Sequence, residues 1–136
     1  MTLSRRILTA ALFAACTASG PVTALAASDF PVNIEWHAER LGSTAFDAEA
    51  LPTLLADGKG GIAGSTGCNR YTGGMIVSGA KLTMGPIGQT KMFCMGPGGQ
   101  NEMRFSSAIR SATSWRLDGT ALVIETASGA LRFKRK

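Results

Sequence analysis

Four turn signals punctuate the chain: Asp57-Gly58, Ser78-Gly79, Asp118-Gly119 and Ser128-Gly129. A glycine after a short polar residue lets the backbone take the left-handed angles of a tight hairpin, so each signal reverses the chain and sets neighbouring strands antiparallel. The segments beside these turns are brief and alternate in polarity, as in Lys81-Leu82-Thr83-Met84, Ser114–Leu117, Ala121–Thr126 and Leu131–Lys134. That period of two belongs to half-buried strands. The 17 glycines in 136 residues fit a fold rich in turns. A chain of this length has room for one core of ordinary size.

The same reading places further elements. Val32-Asn33-Ile34-Glu35-Trp36 alternates, which predicts a strand with Val32, Ile34 and Trp36 facing inward. Pro52–Ala56 and the glycine-rich Gly60–Thr66 form a hairpin turned by Asp57-Gly58-Lys59-Gly60. Met75-Ile76-Val77 is a short strand, and Lys81–Met84 another that Gly85-Pro86 stops. One helix is predicted after Gly96-Pro97-Gly98-Gly99, with Met103, Phe105, Ala108, Ile109 and Ala112 on one apolar stripe. Gln100 or Asn101 is its expected cap, and Glu102 and Arg110 suit opposite ends of its dipole. The final segment, Leu131–Lys136, reads as an edge strand kept soluble by Arg132, Lys134, Arg135 and Lys136.

Residues 1–26 have the form of a secretory signal. Arg5 and Arg6 precede the apolar run Ile7–Ala15, Gly20-Pro21 breaks it, and Ala24-Leu25-Ala26 offers the small-x-small pattern of a cleavage site before Ala27. The run is too short for the roughly 20 residues of a bilayer-spanning helix. Phe13-Ala14-Ala15-Cys16 also resembles a lipobox, which would make Cys16 a lipidated N-terminus and the protein membrane-anchored. The expected address is therefore periplasmic or secreted, with a lipid-anchored envelope protein as the alternative, and the domain is residues 27–136. Cleavage before Ala27 removes Cys16 and leaves Cys68 and Cys94, a pair expected to close in an oxidising compartment. Such a bond stabilises by roughly 3 to 4 kcal/mol on the chain-entropy model.

Chemistry-bearing sets are sparse. His37 is the single histidine, so thiol catalysis would need it beside Cys68 or Cys94, which a disulfide would consume. A Cys-x-x-Cys pair is lacking, the nine acids are scattered, and the glycine runs lack phosphate-loop or dinucleotide spacing. No cofactor is expected and no metal centre of ordinary ligands. Met84, Met92, Met95 and Met103 are soft donors that would suit copper, although core filling accounts for methionines more simply. Without Arg5 and Arg6, 12 of the 14 basic side chains remain against 9 acidic ones. The basic C-terminus would serve a polyanion only through a salt-dependent patch, and no nucleic acid is expected as partner.

The block Gly67-Cys68-Asn69-Arg70-Tyr71-Thr72-Gly73-Gly74 is polar and turn-forming. Its glycines permit backbone angles closed to other residues and Asn69 bonds its own turn, which makes a locked corner of the sheet. Alternatively, Asn69, Arg70 and Tyr71 present an amide, a forked cation and a phenol to a ligand, or to a substrate if the protein is a hydrolase or another enzyme. With Gly64-Ser65-Thr66 before it, and with Leu82–Pro86, Thr90-Lys91-Met92 and Cys94 after it, this block resembles the META domain, or HslJ-like, family. The likeness extends over nearly all of Pro31–Phe133, although Met75 stands where that family often has an aromatic residue. It implies a mainly β (α+β) fold: a compact antiparallel curled sheet, or barrel-like arrangement, with one principal helix packed against it. It also implies an exported envelope protein associated with stress or drug tolerance, without implying a reaction. The expected function is a non-enzymatic module that binds an envelope protein or small ligand.

Overall fold

The computed structural model describes Gly20 and residues 29–136. Apart from Gly20, the expected signal segment, its expected cleavage site and Cys16 lie outside the described residues. Nine strands form one antiparallel sheet: β1 (Trp36–Leu41), β2 (Thr44–Ala45), β3 (Thr53–Ala56), β4 (Gly61–Ser65), β5 (Arg70–Ser78), β6 (Lys81–Gln89), β7 (Ser114–Asp118), β8 (Ala121–Thr126) and β9 (Gly129–Arg135). The sheet curls until β9 pairs with β1 as well as with β8. Between β6 and β7 the ladder thins to one register pair, Lys81 with Ser114. The helix α1 (Pro97–Arg110) lies in the connection across that seam.

The core follows the period of two. Trp36 and Ala38 on β1, Leu54 and Ala56 on β3, Leu122 and Ile124 on β8, and Leu131 and Phe133 on β9 all point inward and are buried. Phe105 from α1 reaches the rings of Phe46, Tyr71 and Phe133 at centroid distances of 6.4, 5.7 and 6.4 Å. One helical side chain thereby joins strands β5 and β9 to the loop that follows β2.

Four local expectations change. Val32–Glu35 is not strand: Asn33 has φ +56°, Val32 is exposed, and β1 begins at Trp36. The left-handed residue interrupts the extended alternation, and its N–H bonds Ala56 O at 2.8 Å instead. Gly85-Pro86 does not stop β6, because the register shifts opposite Gly73–Met75 and absorbs the pair in a bulge. Pro86 also lies beyond the single pair that β6 makes with β7, so its missing N–H leaves no ladder bond unmade. The helix is capped by Gly96 at φ +75° with Pro97 entering first, not by Gln100 or Asn101. Met103 leaves the predicted stripe and is exposed, while Phe105, Ala108, Ile109 and Ala112 are buried.

The last correction concerns β9, which is an interior strand between β1 and β8. Its cations meet local partners: Arg132 pairs with Asp118 at 2.7 Å, Lys136 with Glu35 at 3.6 Å, and the Arg135 guanidinium stands 5.5 Å from the Trp36 ring centroid. The terminal charge is thus divided among separate local partners.

Candidate functional site

The corner expected at Gly67–Gly74 divides in two. Thr66–Asn69 is the turn, and Arg70 already begins β5. Gly67 is required at the turn: it has φ +102°, and a Cβ there would lie 2.7 Å from Ala50 O and 3.0 Å from Asn101 Cβ. Alternation along the next residues then separates the proposed binding trio. Asn69 and Tyr71 are buried, and only Arg70 is exposed. Tyr71 donates its hydroxyl to Thr53 O at 2.7 Å, and burial pushes the phenol well above its ordinary range.

Asn69 is the centre of a polar hub. Its N–H donates to Thr66 Oγ1 at 2.8 Å and to Glu102 Oε2 at 3.0 Å. Its Nδ2 donates to Met92 O at 3.0 Å and to Glu102 Oε2 at 2.9 Å. Its Oδ1 accepts from Thr90 Oγ1 at 2.8 Å and from Met92 N at 2.7 Å. Thr66 Oγ1 donates to Glu102 as well. The amide therefore fastens the turn, the 90–92 segment and α1 to one another, with each of its polar atoms occupied. Glu102 belongs to this hub rather than to the first helical turn, where the dipole argument had placed it.

Cys68 and Cys94 form the expected disulfide, with a Cα–Cα distance of 5.9 Å. It ties the same turn to the same loop. His37 lies on β1 and bonds Glu35 Oε1 at 2.9 Å, which, followed by the charge of Lys136, holds the Glu35 carboxyl below its ordinary range. Among the described residues no group of three or more His, Cys, Asp or Glu is placed to hold a metal.

What this locked scaffold displays is apolar. A groove of about 390 Å³ is lined by Cys68, Met92, Phe93, Met95, Glu102 and Met103, among others. Phe93 is 90% exposed, Met95 84%, Met103 75% and Met92 63%. Other exposed apolar side chains of the sheet, such as Ile76 and Leu117, stand on separate strands. Met84, grouped with these methionines by residue type, instead packs against the core. Phe93 was not foreseen as a surface residue, although a signal was present. It sits in Met92-Phe93-Cys94-Met95 within a glycine-rich loop, where a bridged cysteine holds its neighbours away from any strand's alternation. Thr66, Thr90 and Glu102 were likewise missed as partners of Asn69, since the residues concerned lie up to 33 positions from it.

Arg70 lines a different, polar groove with Glu35, Thr72 and Lys136. A third depression of about 430 Å³, beside Phe30, Val32, Met75 and Val77, is walled by turn glycines.

The comparisons with known proteins agree with this architecture. The family model described as META domain matches residues 29–136. A solved NMR structure of a protein from Burkholderia xenovorans is 26% identical, covers 77% of this chain and 83% of its own, and superposes with a TM-score of 0.62. A second NMR structure, 24% identical, covers 74% of this chain and 87% of its own with a TM-score of 0.60 and shares the fold. No curated protein matches the chain.

Proposed function

The chain belongs to the META domain family, and on that footing we propose that it is a non-enzymatic binding module of the cell envelope whose groove at Met92, Phe93, Met95 and Met103 takes an apolar segment of a partner protein. The observation that carries this reading is Phe93, a ring 90% exposed that lines an apolar groove whose backbone is fixed by a disulfide and by Asn69. Four adjacent apolar side chains held in water are a standing cost unless something covers them. A partner segment laid along the groove covers that ring and the methionines beside it more fully than a small ligand does. Methionines around it adapt to differing shapes because their side chains are unbranched and polarizable. Rigid support beneath mobile side chains also limits the ordering entropy lost on binding.

Export, with either release after Ala26 or anchoring through Cys16, would place this surface outside the cytoplasm, where the Cys68–Cys94 bond persists. A role in stress or drug tolerance follows if the covered partner is itself an envelope component.

The test uses a photo-crosslinking residue in place of Phe93, in cells, followed by purification of the captured protein. A partner that binds the purified chain, and binds Phe93→Ser at least about tenfold more weakly with the disulfide intact, supports the reading. Equal binding of the wild type and Phe93→Ser would refute it.

A further inference from the structure

The groove contains three thioethers, and every one of them is tied to the Asn69 hub. Met92 is held directly, with its N–H and carbonyl both bonded to the Asn69 side chain at 2.7 and 3.0 Å. Met95 follows Cys94, which is fixed to Cys68 next to Asn69. Met103 follows Glu102, whose carboxylate accepts from Asn69 Nδ2 at 2.9 Å. Methionine is ordinarily among the more buried residues. Met75 and Met84 behave that way, packed in or against the core, whereas Met92, Met95 and Met103 all line this one groove.

We propose that Met92, Met95 and Met103 form a thioether site for a soft monovalent cation, Cu(I). The inference rests on the reading that this groove is the working face of the protein, and it adds a ligand of defined chemistry. Thioethers are neutral, polarizable donors that prefer Cu(I) over harder divalent ions, which favour imidazole or carboxylate. A groove lined by three of them supplies the donor number and donor type of a three-coordinate d¹⁰ ion. The disulfide supports this selectivity, because it removes Cys68 and Cys94 as thiolates and leaves thioether as the available sulfur donor at the site. Glu102 lines the same groove and places a carboxylate near a bound cation. A thioether carries no proton to lose at neutral or mildly acidic pH, so binding should persist where histidine and cysteine sites release their metal.

The experiment is a competition titration of the folded, disulfide-bonded protein with Cu(I), kept reduced by ascorbate, against the chromophoric chelator bicinchoninate. Thiol alkylation beforehand and intact mass afterwards confirm that the disulfide has survived. One equivalent should be withdrawn from the chelator, with similar affinity at neutral and mildly acidic pH. Each of Met92→Leu, Met95→Leu and Met103→Leu should weaken binding by at least about tenfold, since even the loss of an outer-shell partner costs that much. Carbon-13 methyl spectra should show these three methionines shifting and Met75 and Met84 unmoved. Failure of the wild type to compete, or unaltered binding by the triple leucine variant, would overturn the proposal. Leucine preserves the apolar groove, so a triple variant that keeps its protein partner but not Cu(I) supports a separate cation site. Phe93 carries no sulfur, so Phe93→Ser, which weakens binding of the protein partner, should bind Cu(I) as the wild type does, and this separates the cation site from the docking surface. If the partner binds and Cu(I) does not, the cation site is wrong and the docking reading stands.

Discussion

The β7–β8–β9 hairpins and the corner at residues 66–103 lie in one sheet but are held by different means. In the hairpins each strand meets its chain neighbour through a short turn. Five pairs join β7 to β8 and five join β8 to β9, and each partner is close in sequence. At the corner, order comes from side chains: the Asn69 amide bonds Thr90, Met92 and Glu102, the Thr66 hydroxyl accepts from the Asn69 backbone N–H, and one disulfide spans 26 positions. Backbone ladders spread stability over many small contributions, whereas a polar hub concentrates it in a few atoms that fail together. The corner is also where the apolar groove lies, so the region that displays Phe93 is the one whose scaffold is cross-tied.

The contrast can be broken most strongly at Asn69. Asn69→Leu keeps the branched shape, with methyl groups in place of the amide oxygen and nitrogen, but strips the Met92 backbone and Thr90 of the Asn69 side-chain bonds and takes one donor from the Glu102 carboxylate. Destabilisation on the order of 4 kcal/mol is expected from urea unfolding, because several part-buried groups lose their bonds at once. Replacing Cys68 and Cys94 by alanine should cost about 3 kcal/mol. Combining the two changes sharpens the comparison. Both tie the turn to the 90–94 segment, so the combined loss should fall short of the sum by more than about 1 kcal/mol. Simple additivity would mean that the hub and the disulfide act as independent fasteners.

This difference also explains what could be read from the sequence. The β7–β8–β9 strands were legible to within a residue or two, because Asp118-Gly119 and Ser128-Gly129 encode their pairing locally. The hairpin at Asp57–Gly60, the helix stripe from Phe105 to Ala112 and the Cys68–Cys94 bond were legible for similar reasons. Asn33 defeated the alternation rule, since a single left-handed residue leaves the polarity pattern of Val32–Trp36 intact while ending its extended geometry. The resemblance implied a curled sheet, but that β9 closes on β1 could not be read from the residues, because it joins positions about 100 apart, as in Trp36 with Arg135. At the site, the importance of Asn69 was visible but its role was not. Strand alternation turns Tyr71 inward and Arg70 outward, but it starts only where the turn ends, and Asn69, still in the turn, is drawn inward by partners distant in sequence.

A glycine pair tests the two regions with one kind of change. Gly67 and Gly119 both have positive φ, at +102° and +59°. An alanine Cβ at Gly119 would meet nothing within 4 Å, so Gly119→Ala should cost about 1 kcal/mol from backbone strain alone. Gly67→Ala adds a collision with the Ala50 carbonyl and should cost about 3 kcal/mol. Thermal unfolding of the two variants reads the difference. Equal shifts in midpoint would show that the corner is no more closely packed than the hairpin.

The smallest expected effect is electrostatic and lies in the hairpins. Asp118 accepts from Arg132 at 2.7 Å, and this hydrogen bond, followed by the charge of the guanidinium, lowers the carboxyl from its ordinary value of 3.8. With the folded pKa below the unfolded one, the unfolded chain binds more protons in the interval between them, so stability rises with pH there. The contribution is complete above the unfolded value and fades as pH falls through the folded one. Asp118→Asn keeps an oxygen acceptor but removes the charge. The gap in urea stability between wild type and variant should therefore be small at pH 6 and should close as the solution is taken below about pH 3. Added salt should narrow it at pH 6, because the pair is exposed and screened. A gap that stays constant from pH 6 into acid would assign the effect to packing or turn geometry at Asp118, and would leave the hairpins held by their backbone ladders without measurable help from charge.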